Sequence, residues 1–372
     1  MKLLRVCATN YKNCVDDFTI DFVARSKKTS EDKEYELKEI ADGLYIYNTL
    51  AFVGKNASGK TSAVELLDSC YSILGDFRLE GKHYNYDNVS LEIIFFHEGY
   101  IYRYTTTLKA DTGMTNRAIF TMQHLYRKKY YKTKIKEIYL PMDFESVKID
   151  SMLPEDTSIV FFVLKKKKTR AVYFSCNGLG SDTYRALFSA MKSYQIAPDL
   201  FAKTIKIFDS NIQSLEMVDE KHFRLCYLNQ TKELSDTELI YMLSSGTTKG
   251  LLLYIYVVAA LQQGFDLLID EVENHFHKAL VENMISLFKD RTVNKHSATL
   301  VFTTHYCEVL DLFNRQDNIW IAKSQGEVYL QNMYDAYNVR PELLKSRQFY
   351  SNTFDTSVNY EDLMALKKEL MK

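Results

Sequence analysis

Apolar side chains recur along this chain with two periods, and the change from one to the other marks its elements. Tyr45-Ile46-Tyr47 and Leu50-Ala51-Phe52-Val53 predict a short buried strand rich in aromatic and branched residues. Just beyond it, Ala63, Leu66, Leu67, Cys70, Ile73 and Leu74 fall at the spacing of one buried helical face, so residues 60–74 read as a helix. Upstream, residues 3–6 and 18–22 read as strands, while the charged stretch from Arg25 to Glu39 reads as a solvated loop or short helix.

Residues 75–88 are polar and turn-rich. After them, residues 91–96, 100–108 and 118–125 alternate as an antiparallel meander with one wet face, turning first at His97-Glu98-Gly99. An apolar strand is expected at 159–164, helices over 182–215 with a break at Ala197-Pro198, and a strand at 223–228. No sustained heptad predicts a coiled-coil arm. Then follow an apolar helix at 251–261, strands at 265–271 and 299–305, and a hairpin of 319–323 with 327–333 turning at Gln325-Gly326. The tail from Arg340 to Lys372 is polar, with a helical end carrying Leu363, Leu366 and Leu370; it reads as a docking element or as a helix packed on its own body.

Composition narrows the class. With 372 residues, 46% hydrophobic content and a net charge of −1, the chain can bury a large core and is neither disordered nor a generally basic nucleic-acid coat. Its 27 Tyr and 22 Phe against 13 Gly and 4 Pro favour packed regular elements. The cysteines Cys7, Cys14, Cys70, Cys176, Cys226 and Cys307 form no C-x-x-C pair, so reduced thiols in a cytoplasmic protein are expected. No apolar run reaches the roughly 18 residues of a membrane span, and the N-terminus lacks a signal-peptide core.

Chemistry enters between the first strand and helix. Gly54-Lys55-Asn56-Ala57-Ser58-Gly59-Lys60-Thr61 satisfies the phosphate-loop pattern G-x-x-x-x-G-K-[ST], and Ser62 continues the first helical turn. Backbone amides and the positive helix end would converge on phosphate oxygens. Lys60 would reach the β- and γ-phosphates, and the Thr61 hydroxyl would hold Mg²⁺.

A second half follows in order. Leu243-Ser244-Ser245-Gly246 precedes an apolar helix, Asp270-Glu271 ends an apolar strand, and His305 ends another. In a doubly wound sheet those strand ends meet the phosphate loop. Glu271 is the natural water-orienting carboxylate, and His305 can hydrogen-bond a terminal phosphate.

In this order the motifs resemble those of ABC-type ATPases, specifically the soluble AAA-family branch holding SMC, RecF and OLD-like proteins and the ATPases of bacterial anti-phage, or abortive-infection, systems. The likeness spans most of residues 1–335, and Asn10-Tyr11-Lys12 resembles that branch's N-terminal strand motif. It implies an α/β P-loop NTPase of ABC-ATPase type, with a mixed or parallel sheet core, an antiparallel β subdomain and a short helical insertion. Segments are expected at 1–125 (N-terminal ATPase lobe), 126–235 (basic hairpin and helical insertion), 236–335 (C-terminal ATPase lobe) and 336–372 (docking tail).

By the same likeness Asp270 supports Mg²⁺ through water, Glu271 polarises the attacking water, and His305 is the switch histidine. Ser244, Ser245 and Gly246 would serve ATP held by another protomer of a head-to-tail homodimer, with 274–277 lining the seam. Ser245 and Thr247 stand where transporter ATPases carry Gly and Gln, and the first glutamine is Gln123, so no Q-loop glutamine follows the first helix.

The resemblance implies an ATP-hydrolysing switch for a separately encoded effector, a nuclease or toxin, in anti-phage defence. No nuclease carboxylate cluster is evident in this chain. The alternative is a RecF-like, ATP-gated DNA-repair factor. Basic segments bear on that choice: Arg127 to Lys136, with Tyr126, Tyr130 and Tyr131 interleaved, and Lys165 to Arg170. Such stretches can track a nucleic-acid backbone, contact an acidic partner or cap a solvated hairpin.

Overall fold

The computed structural model describes residues 1–371 apart from 30, 31, 33, 82–85, 112, 115, 150, 176–181, 275, 276, 338, 339, 341, 342 and 355–359. Two six-stranded sheets enclose the helix Lys60–Gly75. The first is ordered Ala171–Ser175, Asp266–Asp270, Leu300–Thr304, Thr49–Val53, Ile319–Gln325, Glu327–Asn332, and only its last pair is antiparallel. The second is antiparallel throughout: Phe18–Asp21, Lys2–Thr9, Ser90–His97, Tyr100–Ala110, Ala118–Lys129, Glu145–Ser146. This is the α/β P-loop NTPase architecture that the motifs imply, with its antiparallel subdomain.

The inner strands Thr49–Val53, Asp266–Asp270 and Leu300–Thr304 are buried on both faces, as a parallel sheet between layers requires. Leu50, Phe52, Leu268, Val301 and Trp320 face the helix Lys60–Gly75. Ala51, Val53, Leu267, Ile269, Phe302 and Ile321 face the other layer, which holds the helices Ser245–Gln263 and Lys278–Lys289. On that side sits the insertion: helices Thr183–Ser193 and Pro198–Phe208, a three-stranded sheet over residues 212–235, and the helix Asp236–Met242, whose N-terminus Ser235 and Glu238 close as a capping box. Gly250 lets it dock, because a Cβ there would lie 2.1 Å from the Phe208 ring.

The structure corrects several expectations from the sequence. Residues 45–53 form two strands, not one; Leu44–Tyr47 pairs antiparallel with Leu37–Ala41, and the chain breaks at buried Asn48, whose Nδ2 donates to the Tyr35 carbonyl at 2.7 Å. The stretch from Arg25 to Glu39 is therefore not simply solvated. Glu36 and Lys38 within it are buried, and Asp32 pairs with Arg315 at 2.8 Å beside fully buried Asp317. Residues 159–164 are not a strand but end in one helical turn, Phe161–Leu164, and the strand follows at Ala171–Ser175. The helical stretch ends at Phe208, and Ile212–Met217 is already a strand. The helix expected from 251 starts at Ser245.

Cys7, Cys14, Cys70, Cys226 and Cys307 are free thiols, and Cys176 lies outside the described residues. No helix among the described residues is long and apolar enough to cross a membrane.

Candidate nucleotide site

Gly54 leaves the carboxyl end of Thr49–Val53, His305 that of its neighbour Leu300–Thr304, and Glu271 that of Asp266–Asp270, the next strand beyond. Parallel order thus gathers side chains that lie more than 200 residues apart in sequence. The loop is shaped by close approach: a Cβ at Gly54 would lie 2.5 Å from the Ala322 carbonyl, and one at Gly59, with φ +92°, would lie 2.2 Å from Val328. Gly59 caps the helix Lys60–Gly75, whose first turn carries no acidic residue to compete for an anion.

Lys60 is buried, and its Nζ donates to the carbonyls of Gly54 at 2.9 Å and Lys55 at 3.0 Å and lies 3.5 Å from His305 Nδ1. Burial lowers its ammonium pKa to about 8, against the opposing pull of the Glu273, Asp270 and Glu271 carboxylates. Thr61 Oγ1 donates to Asp270 Oδ2 at 2.9 Å, and Thr303 Oγ1 donates to Asp270 Oδ1 at 2.8 Å. Burial raises the Asp270 carboxyl, partly offset by those two hydroxyls. Thr303 also accepts the Glu271 amide at 2.6 Å.

Glu271 adopts φ +52°, a left-handed backbone that non-glycine residues rarely take and that concentrates at functional positions. The twist ends the strand and separates its carboxylate from that of Asp270. Asn274 Nδ2 donates to Glu271 Oε2, and His305 Nε2 stands 4.0 Å from Glu271 Oε1. Burial first, then the Lys60 charge, lowers the His305 pKa below the usual imidazole value.

The residues present fit a nucleotide with Mg²⁺. Thr61 and Asp270 offer hard oxygen donors side by side, of the kind Mg²⁺ uses together with phosphate oxygens and water. The Ser58 hydroxyl is buried in the loop without a hydrogen-bond partner. Among the described residues no cluster of three or more His, Cys, Asp or Glu could hold a metal alone. A cleft of about 530 Å³ lined by Tyr35, Leu37, Ile285 and Lys289 contains none of these groups. The chemistry sits on the open rim of the sheet instead, with Lys55, Asn56 and Ala57 exposed.

Ser244 stands apart from this cluster. It caps the helix Ser245–Gln263, its Oγ accepting the Thr247 amide at 3.0 Å, and no hydrogen bond or ion pair among the described residues joins Ser244 or Gly246 to the P-loop. Ser245 occupies the first helical position. Of residues 274–277, 275 and 276 lie outside the described residues, and Asn274 holds Glu271 as above.

Gln123 is remote from the nucleotide site: its Oε1 accepts from the Tyr104 hydroxyl and the Ile159 amide. Lys12 pairs with Glu65 on the P-loop helix, and Asn10 Nδ2 donates to the Asn88 carbonyl at 3.2 Å. In the first basic segment Lys128 donates to the Glu137 and Leu140 carbonyls, Lys132 pairs with Asp42 and Lys134 with Asp143. Lys165, Lys166, Lys167 and Lys168 are exposed. Sequence reading gave no role to Thr303 or Glu273. Part of the signal was there: Thr303 lies two residues before His305, a spacing that places side chains on one face of a strand, whereas Glu273 lies in the turn after Asp266–Asp270, where no strand period applies.

No curated protein matches the sequence. Among solved structures the chain is similar to an SMC head bound to the C-winged helix domain of ScpA, with TM-score 0.46 and 12% identity over 89% of this chain and 97% of that one. The family model "AAA domain, putative AbiEii toxin, Type IV TA system" matches residues 50–311, a span running from the P-loop strand past His305. With that match covering most of a 372-residue chain whose P-loop, strand-end acids and histidine converge on one rim, the protein belongs to this AAA-domain family of P-loop ATPases.

Proposed function

We propose that the chain binds and hydrolyses ATP as a head-to-tail dimer and uses that cycle to switch a partner protein. The observation that carries this reading is the separation of Ser244 and Gly246 from their own P-loop: a helix start that closes its capping bond locally has amides left for a phosphate of another protomer. Within one protomer, Gly54 to Thr61, with Ser62, bind the phosphates, Lys60 compensates their charge, and Thr61 with Asp270 holds Mg²⁺. Bound Mg²⁺ supplies charge neutralisation at the phosphate oxygens. Glu271, held by Asn274, orients the attacking water, and His305 senses the terminal phosphate. The test is Glu271→Gln, which should accumulate an ATP-bound dimer in light scattering, while Ser244→Arg should bind ATP as a monomer. An ATP-loaded Glu271→Gln protein that stays monomeric refutes the dimer.

We infer that the partner is an effector in cell defence. The family description names an AbiEii toxin and a Type IV TA system, and this chain has no metal-binding acidic cluster of its own among the described residues, which supports an effector acting in trans inside the cell. Co-purification with the product of an adjacent gene tests it. A second reading, an ATP-gated DNA-binding factor, is favoured by the exposed Lys165 to Lys168 run, whereas Lys128, Lys132 and Lys134 are already engaged within the protein. A clamp of that kind loses DNA affinity steeply with salt.

A further inference from the structure

Glu273 is buried to 8% exposure, beside the site yet outside every role above. Its Oε1 accepts the backbone amide of His305, and its Oε2 is buried with no hydrogen-bond partner. A buried carboxylate oxygen without a donor is unfavourable unless the surrounding charge answers it or a working state supplies a partner. Lys60 and His305, whose Nζ and Nδ1 lie 3.5 Å apart, are its neighbours in the site. Glu273 is the foremost charge acting on Lys60 and the foremost acid acting on His305; Asp270, Glu271 and the Cys307 thiol complete the titratable surroundings of Lys60. Between the two glutamates, Val272 is wholly buried and its amide donates to the Thr303 carbonyl at 3.0 Å, which anchors this turn to the strand leading to His305.

On the reading of this rim as an ATPase site, we propose that Glu273 is a positioning residue for hydrolysis: one oxygen fixes the backbone at His305, and the other provides the counter-charge that couples His305 to Lys60. A glutamine at this position keeps a carbonyl acceptor for the His305 amide but removes the charge; an alanine removes both. The site therefore separates placement from electrostatics.

The test is phosphate release by wild type, Glu273→Gln and Glu273→Ala, together with binding of a fluorescent ATP analogue and thermal unfolding. The expected result is analogue affinity within about threefold of wild type, with kcat reduced about 10-fold in Glu273→Gln and about 100-fold in Glu273→Ala, the range seen when residues that orient reacting groups are removed. Wild-type kcat in both variants overturns the proposal. So does a parallel fall of affinity, kcat and melting temperature, which would mark a merely structural residue. Wild-type turnover that does not depend on Glu271 would overturn the ATPase reading as well, so the two failures are distinguishable.

Discussion

Thr303 and Asp270 meet across adjacent parallel strands, the Thr303 hydroxyl donating to Asp270 Oδ1 at 2.8 Å while Thr303 Oγ1 accepts the Glu271 amide at 2.6 Å. One side chain thus holds the Asp270 carboxylate and the Glu271 backbone. Thr303→Val preserves shape but leaves Asp270 and the Glu271 amide each short of a partner, costing about 1–3 kcal/mol of stability. It should also raise the Mg²⁺ concentration needed for half-maximal phosphate release by about tenfold or more. A Mg²⁺ titration and a thermal melt check both.

Lys60 titrates near pH 8 in the ligand-free site because burial disfavours its charge. Phosphate binding favours the charged form, so affinity for ATP is fully present below that pH and weakens as pH rises through it, by about tenfold per unit beyond. Calorimetry on either side of pH 8 should show proton uptake on the alkaline side. Lys60→Ala should remove both the binding and its pH dependence.

Gly59→Ala meets two obstacles, contact with Val328 and a left-handed φ of +92°. Val328→Ala in the same protein removes the two nearest atoms but leaves its Cβ at 3.0 Å and the backbone strain, which alone costs about 1 kcal/mol or more. The double variant should therefore recover only part of the lost melting temperature.

Arg315 lies buried between Asp317 and Asp32, with its guanidinium donating to Asp317 at 2.7 and 2.9 Å. Arg315→Leu strands the fully buried Asp317 charge and should destabilise the protein by about 3–5 kcal/mol. Urea unfolding gives the value, and adding Asp317→Asn should restore a large share.

Phe354, fully buried, packs on Phe349 at 4.4 Å and Tyr337 at 4.8 Å, and the helix Lys345–Tyr350 that carries Phe349 rests on residues 307–312 just after His305. Ser346 bonds Asp311 and Tyr350 bonds Glu308 across that contact. Phe354→Ala should cost about 3–5 kcal/mol locally and expose the tail to protease before the ATPase body is cut. Leu366 and Leu370 in the terminal helix are exposed, whereas the helix Lys345–Tyr350 packs on the body.

The legible part of the site was local. Glycines and a lysine at fixed offsets, followed by an apolar helical stripe, define the phosphate loop wherever they occur, because its amides and helix end come from contiguous backbone. An apolar strand ending in Asp270-Glu271 carries its own signal in the same way. Where single residues held two contexts apart, sequence pattern was insufficient: Ile159 to Leu164 has a strand's composition, but Val160 and Leu164 bury at a helical spacing.

By itself the sequence determined the P-loop, the order of its companion motifs and the buried strands, since these depend on short-range periodicity and backbone geometry. Only the tertiary structure decided that Thr303 serves Asp270, that Glu273 lies against His305 with an unpaired oxygen, and that Asp32 and Glu36 pair with buried Arg315 and Lys289. Those facts belong to contacts between strands and loops distant in the chain. Such contacts set burial and hydrogen-bond partners, and no spacing within one segment encodes them.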